Sequence, residues 1–374
     1  MHKCWRGWRV WGLSTLLDIE DLIYSKKPEK NNNIIWEKHK LMINNRRYLG
    51  SKQRLIPFIK EIIAQECRDI KVFADIFAGT GVVAYEFNNI NTKIIVNDIL
   101  YSNYLAYMTW FSDDYYDFDK ISKLIKEFNN IVGTKDNYVS KNFGGTYFTI
   151  ENARKIGVIR EEIESMVDIT PREKAILITS LLYAMDKVAN TCGHYDAYRK
   201  TLDTTEPLYL QVPAIKSKTT NKRNMIFNED ANKLVRRISS DLVYIDTPYN
   251  SRQYSDTYHL LENIARWEKP EVSGIARKMV DRSKIKSNYC TVKAPEVFDD
   301  LITNIDSKYI LVSYSNMGQK GNGRSNAKIS DEEILEVLGR KGKVKVFHTN
   351  FQYFTTGKTQ LEDHKERLFL CVLN

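Results

Sequence analysis

The sequence predicts an α/β fold: a doubly wound, mostly parallel sheet of Rossmann-like type, interrupted by an inserted domain. Three observations predict it. "KVFADIFAGTGVVAYEF" followed by "KIIVNDI" reads as strand, glycine turn, helix and second strand. Such a βαβ unit implies parallel pairing under covering helices. The alternation stops over residues 130–222 and then resumes at "MIFNED", "DLVYIDTPY" and "YILVSYSN".

The elements follow in order. Apolar spacing from Ile56 to Glu66 is helical. "VFADIF" is the first strand, "VVAYEF" opens a helix, and "KIIVNDI" is the second strand, ending in an acid. Residues 101–128 read as mostly helical and rich in aromatics. The interruption holds "NFGGTYF", a helical stretch around 171–190 and a Lys-rich polar segment. Beyond it come a helix around 255–267 and another around 331–338. "VKVFHTNF" and "RLFLCVL" look antiparallel or edge-forming. Residues 1–41 are rich in Trp, Lys and Asn and read as an extension outside the core, with Met42 a second possible start; a helix at 13–24 packed on the domain is the other reading. The division is therefore 1–41 extension, 42–110 cofactor-binding part, 111–222 target-recognition insertion and 223–374 catalytic part.

Composition narrows the function. The 374 residues are 43% hydrophobic, enough for real cores, and carry a formal charge of +9, which favours a polyanionic partner. Cys4, Cys67, Cys192, Cys290 and Cys371 are scattered without a C-x-x-C pair. That pattern argues against zinc and against a disulfide scaffold and fits a reducing cytoplasm. The longest apolar run, "AILITSLLYAM", is too short to span a bilayer. The six histidines form no ligand spacing, so no metal is expected.

Several positions carry candidate chemistry. Gly79 and Gly81 in "DIFAGTG" sit after the first strand, where a doubly wound fold binds its ligand, and let backbone approach closely. The third glycine of a dinucleotide fingerprint is missing, which counts against a dinucleotide oxidoreductase, and no Lys-Ser/Thr pair makes a P-loop. Asp98, about 20 residues on, stands where an acid binds ribose hydroxyls, or else caps a helix. Asp230 after the third core strand is either an acceptor beside an adenine ring or another cap. Tyr48, Gly50 and Lys52 in "RRYLGSKQRL" form an aromatic, a turn and a cation that suit a carboxylate ligand, or a plain helix start. In "IDTPYN", Pro248 holds Thr247 extended. The Asp246 carboxylate and the Thr247 carbonyl then make two adjacent acceptors, a match for the two hydrogens of an exocyclic amine, and Tyr249 offers a flat face. An ordinary strand end with a proline turn fits the same residues.

Taken jointly, these pieces resemble the Dam-like (D12-class) N6-adenine DNA methyltransferases of restriction-modification type, which use S-adenosylmethionine. "YLGSK", "DIFAGTG", "VND", an insertion, "FNEDA" and "DTPY" for the family's D-P-P-Y come in family order. "NSRQYSDTYHLLENIARWEKPEV" is similar to the segment that follows in a subgroup of modification methylases. The resemblance covers about residues 42–374. It implies that Tyr48, Gly50 and Lys52 hold the methionine end of the cofactor, that Asp75, Gly79 and Gly81 form its loop, and that Asp98 and Asp230 bind ribose and adenine. Asp246 would hold the target amine and Tyr249 stack on the flipped base. Thr247 departs from the family's proline, but the position supplies a backbone carbonyl; a catalytically weakened DNA-binding member, or the same chemistry on RNA or cytosine, is the alternative. Base flipping in double-stranded DNA also calls for phosphate contacts. These are expected from Lys216, Lys218, Lys222, Arg223, Arg236 and Arg237, from "QKGNGRSNAK" (319–328) and "HYDAYRK" (194–200), and nearest the base from Arg252 and Tyr254. A cognate restriction endonuclease is a further expected partner.

Overall fold

A seven-stranded sheet organises the chain. The computed structural model describes residues 40–203, 206–315, 327–350 and 365–373, all within the unit Lys40–Asn374. The helix considered at 13–24 and most of 319–328 lie outside the described residues. Strands β1 (Val72–Asp75), β2 (Lys93–Asn97), β3 (Met225–Phe227), β4 (Ser239–Ile245) and β7 (Asp306–Ser315) run parallel. Two small strands, β5 (Val272–Ser273) and β6 (Lys278–Met279), form a separate antiparallel ribbon. The sheet order is β3-β2-β1-β4-β7-β9-β8. The last strand, β9 (Lys365–Leu373), inserts antiparallel between β7 and β8 (Gly342–Asn350), so β8 is the edge and β9 is interior. Its run Leu368–Cys371 is buried, which is why it belongs inside.

Helices cover the sheet on both faces. Helix α1 (Ile56–Glu66) starts with a proline in its first turn and buries Ile56, Ile59, Ile62 and Ile63 along one stripe. Helix α2 (Val82–Phe87) follows the glycine turn and α3 (Tyr101–Trp110) follows β2. The second layer is built of α4 (Phe118–Asn130), α5 (Tyr138–Phe143), α6 (Ile150–Ser165) and α7 (Pro171–Val188). Helix α7 opens on a Thr170–Glu173 capping box with Pro171 at its start and is buried nearly all round, as a central helix must be. Its neighbours include Tyr258, Leu260, Leu261, Ile264 and Met279, so the helical layer shares one core with residues that follow β4. Helices α8 (Lys218–Asn221), α9 (Ala231–Leu234), α10 (Tyr254–Thr257), α11 (His259–Arg266), α12 (Ala294–Asn304) and α13 (Asp331–Gly339) complete the set. The helix anticipated at 255–267 is two pieces, broken at Tyr258.

One buried contact locks α3 to α11. Helix α3 begins after Leu100, which has no side-chain cap to offer. Its orphan N–H groups are met instead by Glu262 from α11: Tyr101 N donates to Oε2 at 3.1 Å and Ser102 N to Oε1 at 2.6 Å. Glu262 is fully buried, and Arg266 balances it at 3.3 Å. Removing such a cap strands two donors in a dry interface. Glu262→Ala is therefore expected to destabilise the fold by about 2–4 kcal/mol, and Glu262→Gln by less, since one acceptor remains. Urea denaturation followed by circular dichroism checks both; an unchanged midpoint in the alanine variant would remove this contact from the account.

Candidate active site

The crevice lies where the strand order turns. β1 is flanked by β2 on one side and β4 on the other, so the chain leaves their carboxyl ends in opposite directions and a cavity opens between. Its volume is about 230 Å³. Tyr48, Gly50, Lys52, Asp75, Gly79, Asp98, Asp230, Asp246, Pro248 and Tyr254 all border it. Three of the expected catalytic and cofactor-binding residues do not. Gly81, at φ 78°, faces α3, where an added Cβ would meet Tyr107 at 3.1 Å; it shapes the turn from behind. Thr247 is only 2% exposed, and its hydroxyl is buried. Tyr249 sets its ring edge-on against Tyr314, 6.4 Å between centroids, at the flank of the cavity.

Carboxylates dominate the floor. Asp98 accepts Gly79 N at 3.0 Å on Oδ2 and Leu100 N at 2.8 Å on Oδ1, so it ties the glycine turn to the start of α3. Burial lifts its carboxyl to about 6, and these two donors pull the other way. Asp75 is fully buried, and neither oxygen makes a well-formed hydrogen bond. Burial, and after it the charge of Asp246, hold it well above the ordinary carboxylate range. Asp246 keeps 20% of its side chain exposed at the end of β4; burial raises it to about 6, opposed by Lys52. Lys52, expected at a ligand carboxylate, sits with Nζ 2.8 Å from Asp246 Oδ1. Asp230 caps α9 by accepting Lys233 N at 3.1 Å while bordering the cavity.

Behind the floor stands an aromatic stack that the sequence only half revealed. Tyr48 stacks on Tyr258 (4.5 Å, nearly parallel) and meets Tyr254 at 5.6 Å, and those two rings are themselves 6.1 Å apart, so the three form one cluster. The buried Arg46 guanidinium covers both Tyr48 and Tyr258, donates to Asn103 Oδ1 at 2.7 Å and pairs with Asp186 at 3.5 Å. Tyr254, expected against DNA, is thus part of the cavity wall beside Gly50. The opposite wall was not foreseen. Gln253 clamps Ser287 in both directions at 2.8 and 2.9 Å, and Tyr289 packs edge-on against Phe77 while donating to Asn232 at 2.8 Å. The polar run "KSNYC" with its one aromatic is a faint signal for it. Asn97, buried, links Ile76 O and Glu229 across three strand ends.

The basic residues divide. Arg252, Lys218, Lys222 and Arg223 are exposed. Lys216 is not available to a phosphate: Nζ donates to Tyr85 O and Asn88 O, both at 2.8 Å, over the Tyr85 ring, and burial lowers its pKa. Arg236 and Arg237 pair with Asp300 and Glu229. In 194–200, Tyr195 is buried on Asp186 at 2.7 Å and Tyr198 packs on Tyr147, leaving Arg199 and Lys200 outward. Arg277, Lys284 and Lys286 after α11 add exposed cations not anticipated. Among the described residues no group of three His, Cys, Asp or Glu is placed to hold a metal ion, and no helix is long and apolar enough to cross a membrane.

The glycine turn has little freedom. Gly79 has φ 54°, and an added Cβ would lie 3.0 Å from Tyr48 Cε1. Gly79→Ala should cost about 1–2 kcal/mol through left-handed strain and tilt the Tyr48 ring into the cavity. Thermal melting and nucleoside-binding calorimetry would register both; full retention of each contradicts this reading of the turn.

The family model of the D12 class N6 adenine-specific DNA methyltransferase matches residues 48–319. The chain is 38% identical to the modification methylase StsI of Streptococcus sanguinis over 78% of its own length and 46% of that protein. It is 33% identical to the type II methyltransferase M.FokI of Planomicrobium okeanokoites, over 79% and 47%. With M.NlaIII of Neisseria lactamica it shares 31% identity over 85% of this chain and 95% of the relative. It thus spans about half the length of the first and second of these and nearly all of the third. With the matched segment running from Tyr48 through the cavity to β7, this chain belongs to the D12 class N6 adenine-specific DNA methyltransferase family.

Proposed function

We propose that the chain transfers a methyl group from S-adenosylmethionine to the exocyclic amine of adenine at a specific sequence in double-stranded DNA. It would act in the cytoplasm as the modification partner of a restriction endonuclease. The single observation that carries the reading is that Asp246, at the carboxyl end of β4, borders the same cavity as the glycine turn.

The cavity suits such a donor. S-adenosylmethionine carries a sulfonium and an ammonium against one carboxylate, and the acids bordering the cavity include the fully buried Asp75 together with Asp98, Asp230 and Asp246. Asp98 would take the ribose hydroxyls, Asp230 the adenine amine, and Tyr48 and Gly50 the methionine end. Bound there, the donor supplies an electrophilic methyl whose carbon–sulfur bond breaks as a nucleophile's lone pair attacks, leaving a neutral thioether. The protein's work is on the other partner. An aromatic amine is a poor nucleophile because its lone pair is delocalised into the ring. Asp246 and the Thr247 carbonyl, accepting one N–H each, favour pyramidalisation and aim the lone pair across the cavity. Positive charge developing on that nitrogen is stabilised by the carboxylate, and one proton then leaves it. Pro248 fixes the carbonyl's direction, and Tyr249 offers a face to the extruded base. The acceptor at Thr247 is its backbone carbonyl, which threonine carries as proline does, so the difference from proline is expected to keep the acceptor pair. Arg252, Lys218, Lys222 and Arg223 would contact phosphates, joined by Arg277, Lys284 and Lys286.

Expression in a host without adenine methylation, followed by sequencing that detects modified bases, should reveal N6-methyladenine at one recurring sequence. Duplex DNA and RNA treated in parallel and digested to nucleosides separate the polymer and the base. Asp246→Ala should reduce transfer at least about 100-fold with donor affinity within a few-fold. Sustained turnover by that variant, or unmodified DNA from folded wild-type protein, would overturn the assignment.

The acid limb follows from the Asp246 carboxyl at about 6. Accepting N–H groups needs the ionised form, which is lost as pH falls through that value. The rate at limiting DNA should therefore drop about tenfold per pH unit below 6 and level off above about 7. For folding the sign is opposite. A carboxyl raised above its unfolded value adds stability that is complete below about 4 and disappears as pH rises through 6. A rate profile flat down to pH 5 would exclude Asp246 as the ionised acceptor.

A further inference from the structure

Lys52 and Asp246 are brought together by two turns. Gly50, left-handed at φ 74°, reverses the chain after Tyr48, and Ser51 starts the short 3₁₀ turn Lys52–Arg54 by accepting Gln53 N. The Lys52 stem is thereby aimed inward, 5% exposed, with Nζ 2.8 Å from Asp246 Oδ1 and 3.4 Å from Gly50 O. The pair is shielded from water, where charges interact far more strongly than at an open surface. A carboxylate has two oxygens and about four lone-pair directions. An ammonium on Oδ1 fixes the plane of the group and leaves Oδ2 to receive another donor.

The surroundings of Asp246 make this cation consequential. Asp75 faces it from the end of β1, Glu366 from β9, and Tyr244, Tyr249 and Tyr254 from β4, the turn beyond it and α10. Burial and Glu366 favour the neutral carboxyl; Lys52 opposes them. Were the Lys52 ammonium committed to a cofactor carboxylate, Asp246 would be left beside two other acids without its closest cation.

We propose that Lys52 serves the acceptor base rather than the methyl donor: by holding Oδ1 of Asp246 it keeps that carboxylate ionised and turned so that Oδ2 receives the target amine. Lys52 is on this view a positioning residue, acting through Asp246. The inference rests on the methyltransferase reading above and assigns the lysine a different duty from the one its family resemblance implies.

The test uses the full chain with Lys52→Met and Lys52→Arg. Methyl transfer to duplex DNA is followed from about pH 5 to about pH 10. Binding of S-adenosylhomocysteine and of 5′-methylthioadenosine, which lacks the amino-acid carboxylate, is measured by calorimetry. In Lys52→Met the acid limb should move up by about 1–3 pH units. Transfer at pH 7 should fall at least tenfold and recover in alkali, while both nucleosides bind within about threefold of wild type. Lys52→Arg, which keeps the charge, should restore the profile. The proposal is overturned if the limb stays where it is, or if S-adenosylhomocysteine weakens more than about tenfold while 5′-methylthioadenosine does not. Should the methionine variant fail to melt cooperatively, Lys52→Gln is judged on the same readouts. If wild type methylates no DNA, the activity reading has failed instead; the calorimetric comparison still decides whether Lys52 serves a donor carboxylate.

Discussion

Everything at the site depends on β1 being hydrogen-bonded in parallel to both β2 and β4. Parallel strands deliver their carboxyl ends to one edge, and each of these ends carries acids: Asp75 on β1, Asp98 after β2, Asp246 after β4. Burial in one partly dry crevice makes all three resist ionisation, and the charges of Asp246 and Asp98 raise Asp75 further, so none of them keeps its ordinary pKa. A site poised this way favours cations and hydrogen-bond donors. It is an unfavourable arrangement for the fold alone, and proteins retain such arrangements mainly where a ligand compensates them.

The strain is held by a frame on the helical side. Tyr107 of α3 donates to Gly79 O at 2.7 Å while Asp98 accepts Gly79 N, so the left-handed residue is gripped at both its peptide groups. The same helix carries Asn103, which meets Arg46, which in turn covers Tyr48 and Tyr258. Glu262 then fastens the start of α3 to α11. These contacts form one connected set running from the glycine turn to the helical layer. The layer expected to be a separate insertion is therefore also a support for the crevice, and its core includes residues on both sides of β4.

How much of this was legible follows from distance in sequence. Strand and helix periods, the glycine turn and the acids at strand ends are local patterns, and the structure has those elements where the patterns lie. β9's place between β7 and β8 was only half legible, because an antiparallel interior strand and an edge strand share the same apolar run. Lys216 reads as part of a basic segment, yet two backbone carbonyls and the Tyr85 ring, more than a hundred positions away, take it inward. Arg46 reads as one more arginine in "NRRYLG", and only the fold brings Asp186 and Tyr258 to it. The wall around Ser287 and Tyr289 has no periodicity at all; it exists because Gln253 and Asn232 reach it.

The substitution at Thr247 shows how far backbone chemistry can be separated from side-chain identity. A proline there would remove an N–H and fix φ; threonine keeps both free, yet Pro248 still denies the helical region to the residue before it. The threonine side chain is nearly sealed in the core, and its hydroxyl has no hydrogen-bond partner among the described residues. A polar atom buried without a partner is a cost, of about 1–3 kcal/mol, borne by the fold and not by the crevice. The departure from the family's proline is thus expected to lower stability before it lowers the capacity of Asp246 and the neighbouring carbonyl to accept an amine, because both residues carry that carbonyl.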